Sequence, residues 1–382
     1  MKQPSSRASF DLLEQPWIIC ETPQGTEKLS IRQIFDGSAA PFQIRGDSPT
    51  QDYAVLRVLL AIFWRAHHGE AAGSRNWEQW FIAKRQELVE ESKDNVALEY
   101  LDKHRHRFDL LDSKEPFMQV ANLDTTKATR KPISLIMPDS QHDYFTMRTH
   151  KGRKSIEFDE AARWLIHAQA YDHAGIKSGA IGDPRVKEGK GFPIGTGWTG
   201  MTGGTVIHGR SVLETLLLNT TEEVLSSSSG EDRPVWEREA DSATQRNDRT
   251  GKIAKPLAPQ PGGAADLATW QSRRIRLFSE GDRVVSVLVS IGDRIPDAGK
   301  NLFGDPMTPY RFSEKQTKKG QDAFYPRRYD PQRTMWRSLD ALLVAETDAG
   351  FNNTQLAPKR PATLSNFSRI AKYQRSNEVA NV

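Results

Sequence analysis

Between Thr50 and His68 the chain carries Val55, Leu56, Leu59, Leu60, Ile62 and Phe63, positions that on a 3.6-residue period cover most of a helix's circumference. A helix that is apolar nearly all round has to be packed from several sides, so it requires a domain large enough to enclose it. The 382 residues can supply one, even with an apolar content of 37%. The longest apolar run, Ala54 to Trp64, is interrupted by Arg57 and is too short to cross a bilayer, and the start of the chain lacks a signal peptide's apolar stretch. Cys20 is the only cysteine, which excludes an internal disulfide framework and a cysteine-based zinc cluster. A soluble protein without membrane attachment, at home in a reducing cytoplasm, is the expectation.

Around that helix, Pro16 to Cys20 reads as a buried strand, and Asn76–Leu88 and Asp94–Leu101 as amphipathic helices with solvated faces. Phe108 to Val120 reads as a turn into a strand. Ser155 or Asp159 is the expected cap of a helix running to Ala170, and Ser211-Val-Leu-Glu214 is a capping box opening a helix through Asn219. Arg283–Ile291 is β-branched and strand-like, with the Trp270–Phe278 segment as its antiparallel partner; Arg333–Leu343 reads as a further helix. Asp172–Gly204, rich in Gly, Lys and Pro, is expected to be a long loop or a series of turns. Leu225–Gly263, with a run of four serines, alternating charges and Pro/Gly clusters, is expected to be partly a mobile surface insertion.

The formal charge of +4 permits nucleic-acid binding without demanding it. Gly195-Thr-Gly-Trp-Thr-Gly200 matches the dinucleotide pattern in letters, but Lys187-Glu-Gly-Lys-Gly191 precedes it where a hydrophobic strand is needed, and Met201-Thr-Gly-Gly204 follows where a helix is needed. The glycines are read as turn formers. His67-His68 and His104-x-His106 lack a third and fourth ligand nearby and are read as solvated histidines at helix ends rather than a metal site. No Ser-His-Asp or Cys-His signature is present, and the scattered acids give no support to a two-metal nuclease centre. The reading is a protein that is not an enzyme and needs no cofactor.

Positive charge does concentrate. In Gln141–Lys154, Arg148, Lys151, Arg153 and Lys154 stand against one acid, Asp143, with Tyr144, Phe145 and Met147 among them. Cations for phosphates and apolar side chains for base edges are the composition of a DNA-contacting loop, although a strand edge with solvated charge reads the same way. Arg273-Arg274-x-Arg276 and the stretch Arg311–Arg337 are two further runs that could be nucleic-acid surfaces or merely solvated faces, and Lys359, Arg360, Arg369, Lys372 and Arg375 follow.

Several short segments, in order along nearly the whole chain, resemble one family. They are Phe10-Asp-Leu-Leu-Glu-Gln-Pro-Trp-Ile18, Thr50-Gln-Asp52, Pro116-Phe-Met-Gln119, Ala161-Ala-Arg-Trp-Leu165, Gly175-Ile-Lys-Ser-Gly179, Glu214–Asn219, Trp270–Ile275 and Asp305-Pro-Met307. Together they resemble CasA, the large-subunit family of the type I-E CRISPR complex called Cascade. The resemblance implies an α+β fold, one large irregular domain of small, mostly antiparallel sheets flanked by helices. It implies partnership with the other Cascade subunits, the CRISPR guide RNA, target double-stranded DNA and a helicase-nuclease effector. The implied function is reading a protospacer-adjacent motif from the minor groove, whose degenerate pattern suits permissive contacts, and helping guide–target pairing to start.

The family's glycine loop falls on Gly175, Lys177 and Gly179, with Gly195–Gly204 as a second choice. Its extended loop falls on about Gln141 to Lys154, with Phe145, Thr146 and Met147 at the tip and Arg148 and Lys151 beside it. This sequence has no asparagine at that tip. The family's groove-reading lysine falls near Arg294. Family members continue into a sheet bearing a glutamine wedge and then a four-helix bundle, whereas the sequence here stops at Val382, so strand separation by this polypeptide alone is not expected. The alternatives are an architectural, guide-RNA-binding subunit that tests no motif, and a dinucleotide-dependent enzyme built on the Gly195 pattern.

Overall fold

The structure is a computed structural model that describes residues 9–70, 77–140, 146, 148, 150–226, 231–246, 260–317, 321–327 and 359–380. Near its start, strands β1 (Ile18–Thr22) and β2 (Gly25–Leu29) form a hairpin, helix α1 (Ile31–Phe35) follows, and β3 (Gln43–Ile44) pairs on the other edge of β1. Helix α2 (Pro49–Ala66) comes next. It is capped by Ser48, whose hydroxyl accepts the Gln51 N–H, with Pro49 pre-set at the first helical position. Every residue from Ala54 to Trp64 is buried, including Arg57, whose guanidinium lies 2.7 Å from the equally buried Asp305. The charge interrupting the apolar run is thus paired inside the core.

Helices α3 (Trp77–Glu91) and α4 (Asn95–His104) follow, the latter capped by Asp94, which accepts the Ala97 N–H. The strand expected within Phe108–Val120 does not form. Asp109 and Asp112 side chains accept the N–H groups of Leu111, Lys114 and Glu115, which folds the segment into turns and removes donors that a sheet would have used. Beyond β4 (Lys131–Pro132), α5 (His150–Lys154) and β5 (Ile156–Glu157) lies α6 (Phe158–Tyr171). Its N-cap is Glu157, not Ser155 or Asp159; Asp159 sits in the first turn and pairs with Arg163 and Lys28.

Asp172–Gly204 is a series of turns built on a short hairpin, β6 (Lys177–Ser178) with β7 (Lys190–Gly191), and a five-residue helix α7 (Trp198–Thr202). Helix α8 (Val212–Leu218) is capped by Ser211 as expected, though Glu214 turns to the Arg210 N–H rather than completing the reciprocal box. Helix α9 (Glu222–Ser226) and α10 (Ala264–Ala268) flank a segment of which residues 231–246 and 260–263 are described. These described parts are not a loose surface: Trp236 is buried and rests on Phe108 and Phe117.

Strands β8 (Arg273–Glu280) and β9 (Arg283–Ile291) form the expected antiparallel hairpin, running from Arg273 opposite Ile291 to Glu280 opposite Arg283. On the other edge of β9, β4 pairs at Val287 and β5 at Val284. A bulge opposite Phe278–Ser279 leaves Val285 unpaired, which lets Val284 and Val287, an odd number apart, both enter the helical core with Ile275, Leu277 and Val289. Alternation then sends Arg274, Arg276, Phe278 and Leu288 to the opposite face. There Leu288 packs with Val120, Leu123 and Ala180, and Phe278 lies against that small cluster. A second small hairpin, β10 (Tyr310–Phe312) with β11 (Phe324–Pro326), precedes the last helix, α11 (Ala362–Ala380). The helix expected over 333–343 lies outside the described residues.

The core is a layer of helices around α2, which packs against α4, α6, α8 and α10, backed by one face of the β8–β9 sheet. The N-terminal signature belongs to it: Leu12, Leu13 and Trp17 are fully buried. This is the expected α+β architecture of small antiparallel sheets flanked by helices.

Candidate nucleic-acid interface

The Ile291 end of β9 and the segments at it hold four of the candidate residues, Gly175, Lys177, Gly179 and Arg294. Arg273, 1% exposed, organises the 172–195 segment. One terminal nitrogen, Nη2, donates to the carbonyls of Asp172 (2.9 Å), His173 (3.1 Å) and Gly195 (2.9 Å), and Nε donates to the Asp172 carboxylate. Both ends of the segment are therefore tied to one guanidinium. Lys177 joins the same knot, its Nζ 2.6 Å from Asp172 Oδ2 and its side chain almost fully buried. Burial pushes its pKa below the ordinary lysine value, Asp172 opposes that shift, and Arg273 adds to it. Lys177 is accordingly spent on Asp172 rather than held out toward solvent.

The glycines divide by role. A Cβ on Gly179 would lie 2.5 Å from Val186 Cγ1 and 2.6 Å from the Gly189 carbonyl carbon, so glycine there lets the hairpin pinch shut. Gly191 seats the hairpin on the end of β9, where an added Cβ would meet Ile291 at 3.0 Å. Gly175 has only the His173 ring near it and belongs to the open tip, with exposed His173, Ala174 and Ile176. Gly197 and Gly200 bring α7 flush against the end of α6, where a Cβ would approach the carbonyl oxygens of Gln169 (2.4 Å) and Ala170 (2.7 Å). Those glycines serve helix packing, and a five-residue helix after a two-residue strand is not a dinucleotide cradle.

Arg294 stands three residues past the same end of β9. It is exposed and has no ion-pair partner among the described residues, while its neighbours Asp293 and Ile295 are buried. Asp293 is held by Arg274 (2.8 Å) and Arg246 (2.9 Å), and its carbonyl accepts the Trp270 indole N–H at 2.9 Å. An exposed guanidinium is thereby mounted on a fixed backbone. Beside it, the 172–192 hairpin exposes Ile176, Ile181, Phe192, Lys187 and Lys190.

The segment at 141–154 lies elsewhere. Phe145 and Met147 fall outside the described residues. The Thr146 hydroxyl accepts the Arg148 N–H, and Arg148 is locked between Asp139 (2.7 Å) and Glu160 (2.5 Å). Lys151 and Lys154 on α5 are exposed. This helix leads into β5, which pairs at Val284, whereas the hairpin sits at Ile291. Seven strand residues separate the two, roughly 23 Å at ~3.3 Å per residue, far more than the ~6 Å width of a minor groove. The structure brings Gly175, Lys177 and Gly179 together in one hairpin seated on the Ile291 end of β9, with Arg294 three residues beyond that end, and it attaches the segment of Thr146, Arg148 and Lys151 to the sheet at Val284.

Two readings of charge are corrected. Arg273 and Arg274 are buried and neutralised by Asp172 and Asp293, so of that run only Arg276 reaches the surface. The signal that could have revealed this is their place at the head of a strand beside Trp270, because a paired arginine is the one cation a core tolerates well. His67 is not solvated: it is buried between Glu70 (2.9 Å) and Asp94 (2.8 Å). Burial opposes its charge, but the two carboxylates raise its pKa to about 9. Among the described residues no group of three or more His, Cys, Asp or Glu is placed to hold a metal ion, and no helix is long and apolar enough to cross a membrane.

The family model of CRISPR-associated protein Cse1 matches residues 11–382. The chain belongs to the Cse1 family. The solved structure of Thermobifida fusca Cse1 is similar at 37% identity with a TM-score of 0.78, over 96% of this chain and 67% of that one. Cse1 from Acidimicrobium ferrooxidans is similar at 27% identity with a TM-score of 0.73, over 97% and 66%. A curated relative, CasA/Cse1 of Thermus thermophilus, is 25% identical over 343 residues, covering 88% of this chain and 61% of the relative. The chain thus spans about three fifths of that relative's length. A chain of a CRISPR RNA-guided surveillance complex shares the fold, with a TM-score of 0.68 at 19% identity. In this family member the Trp270–Ile275 signature is accounted for physically: Trp270, Arg273 and Arg274 carry the hydrogen bonds that position both the hairpin and Arg294.

Proposed function

We propose that this chain is the motif-reading part of the large subunit of a type I-E CRISPR surveillance complex, binding target duplex from the minor groove without chemistry of its own. The observation that carries the reading is the placement, at one end of β9, of an exposed arginine, without an ion-pair partner among the described residues, on a pinned backbone that continues from the strand on which a hairpin with apolar tips and lysines is seated. A guanidinium suits a narrow, electronegative groove, and small or apolar groups can approach base edges there. Lys177 supports this surface indirectly, by holding the hairpin to Asp172. In this reading the chain docks with the other subunits and the guide RNA, helps guide–target pairing begin, and offers a surface to the helicase-nuclease.

A second reading, as a guide-RNA-binding architectural element, draws on a separate observation: Lys151 and Lys154 present charge on the helix that leads into β5, whose pairing at Val284 is at the other end of β9 from the hairpin. The two readings are compatible if each end serves a different nucleic acid. Binding of motif-bearing and scrambled duplexes to the assembled complex, at two salt concentrations, is the deciding experiment. Arg294→Glu is expected to abolish the preference between the duplexes, and Lys151→Glu with Lys154→Glu to leave that preference intact while weakening assembly. Retention of the full preference by Arg294→Glu would overturn the motif-reading assignment.

A further inference from the structure

On the second face of the β8–β9 sheet, a cleft of about 260 Å³ opens between the turns at 110–121 and the outer part of β8. Two guanidinium groups meet there on one aromatic ring: the Arg130 guanidinium carbon lies 4.1 Å and that of Arg276 4.9 Å from the centre of Phe278. Neither arginine has an ion-pair partner among the described residues. Arg276 donates to the Leu123 carbonyl at 3.1 Å, which fixes its reach, and Arg130 is exposed. The acid on the wall, Asp112, uses Oδ1 to accept the N–H groups of Lys114 and Glu115. The arginines on the inner part of this face, Arg274 and Arg246, are neutralised by Asp293 and Asp266. The pair on Phe278 is therefore a local excess of positive charge inside a recess, with Leu111 and Pro116 as apolar walls.

We propose that this cleft binds the phosphodiester backbone of a single nucleic-acid strand, one phosphate between Arg130 and Arg276 and the adjoining sugar or base against the apolar wall. Guanidinium forks match phosphate oxygens, and stacking on Phe278 holds both forks in place before a ligand arrives. A recess favours a single strand because a free strand can bend a phosphate into it, whereas a duplex backbone meets protruding cations. Position agrees as well: Arg276 stands three strand residues, about 10 Å, from the end of β8 that faces Ile291 and the hairpin. Phe278 and the hairpin's Ala180 also pack against one small cluster. This inference rests on the nucleic-acid reading of the chain but not on motif recognition.

The test uses fluorescently labelled oligouridylate, oligothymidylate and a duplex of equal length with the purified 382-residue chain, titrated at several salt concentrations. Arg130→Glu, an exposed substitution expected to leave the melting temperature unchanged, should lower affinity for both single strands several-fold and reduce the log–log salt slope by about 0.7. Binding to the duplex and its motif preference should not change. Arg276→Lys, which keeps the charge but loses the stacked fork, should produce a smaller loss in the same direction. Unequal losses on the RNA and DNA strands would identify which is the natural ligand, and either supports the site. An unchanged salt slope in Arg130→Glu, or an equal loss on the duplex, overturns it. Arg294→Glu run in parallel separates the two proposals, because it should alter duplex preference and spare single-strand affinity.

Discussion

At the Ile291 end of β9, Arg273, Arg274, Arg246 and Lys177 converge on Asp172, Asp293 and Asp266 as a buried, ion-paired cluster, with Arg294 left outside it. At the Val284 end the pairs are looser: Arg283 lies 3.5 Å from Glu157 with both side chains part-exposed, and Lys151 and Lys154 stand in solvent on a short helix. The first end contains more basic residues, yet its buried cations contribute structure and only the exposed ones, Arg294, Lys187 and Lys190, contribute field. The difference shows that the positive potential of such a surface is set by which acids fold against the cations, not by how many cations the segment contains. Where charges are paired in the interior, removing one leaves its partner stranded; where they are exposed, removal costs little stability and alters binding.

The sharpest way to break this contrast is Arg274→Ala. It strips the fully buried Asp293 of one of its two guanidinium partners and also removes hydrogen bonds to the carbonyls of Ser242, Thr244 and Gln271. Loss of one member of a buried pair costs about 3–5 kcal/mol, and thermal denaturation should show it as a large fall in Tm. Next comes His67, a buried charge clamped by two acids. Its folded pKa of about 9 exceeds the unfolded value of 6.5, so its contribution is complete below pH 6.5 and is lost as pH rises through 9. Glu70 and Asp94 are shifted downward, so their contributions hold above the ordinary carboxylate range and fade only in acid. Stability should therefore decline between pH 6.5 and 9 by an amount on the order of 3 kcal/mol, and a His67→Gln variant should be less stable but flat across that window. A wild-type profile equally flat would show that His67 is neutral in the fold.

What could be read in advance followed from periodicity. The α2 segment announced its burial because apolar residues recur around the whole helix, and β8–β9 announced themselves by β-branched alternation. What stayed hidden depended on partners distant in sequence. Arg273 and Arg274 looked like surface charge because Asp172 and Asp293 lie 101 and 19 residues away from them, respectively. His67 looked solvated because Asp94, 27 residues on, closes over it. The turns over 108–120 were missed since Asp109 and Asp112 capture backbone donors locally, an effect without periodicity. Trp236 was lost inside a polar segment although one large aromatic is enough to anchor a chain in the core. At the candidate site, Arg294 was suggested by the resemblance to the family, whereas its exposure beside buried Asp293 and Ile295 is visible only in the fold.

Asp172→Asn tests whether the hairpin's geometry, rather than its charge, matters for reading a motif. The substitution keeps the shape but weakens the bonds to Arg273 and Lys177, at a cost of about 1–3 kcal/mol. In the assembled complex it should reduce discrimination between motif-bearing and scrambled duplexes while leaving total affinity close to normal. Undiminished discrimination would mean that the knot at Asp172 serves stability alone.

Arg294→Glu should be the gentlest change to the fold and the most telling for function. An exposed side chain without an ion-pair partner among the described residues contributes within about 0.5 kcal/mol, so the melting temperature should barely move. Duplex affinity should nevertheless fall, with the log–log salt slope reduced by about 0.9 if a phosphate contact is lost. The pattern of loss carries the meaning. A fall confined to motif-bearing DNA makes Arg294 a reader of the groove, since a base-edge or groove-width contact is available only on the right sequence. An equal fall on both duplexes makes it a phosphate anchor, and the end of β9 near Ile291 would then differ from the Val284 end only in how many of its cations the fold has consumed.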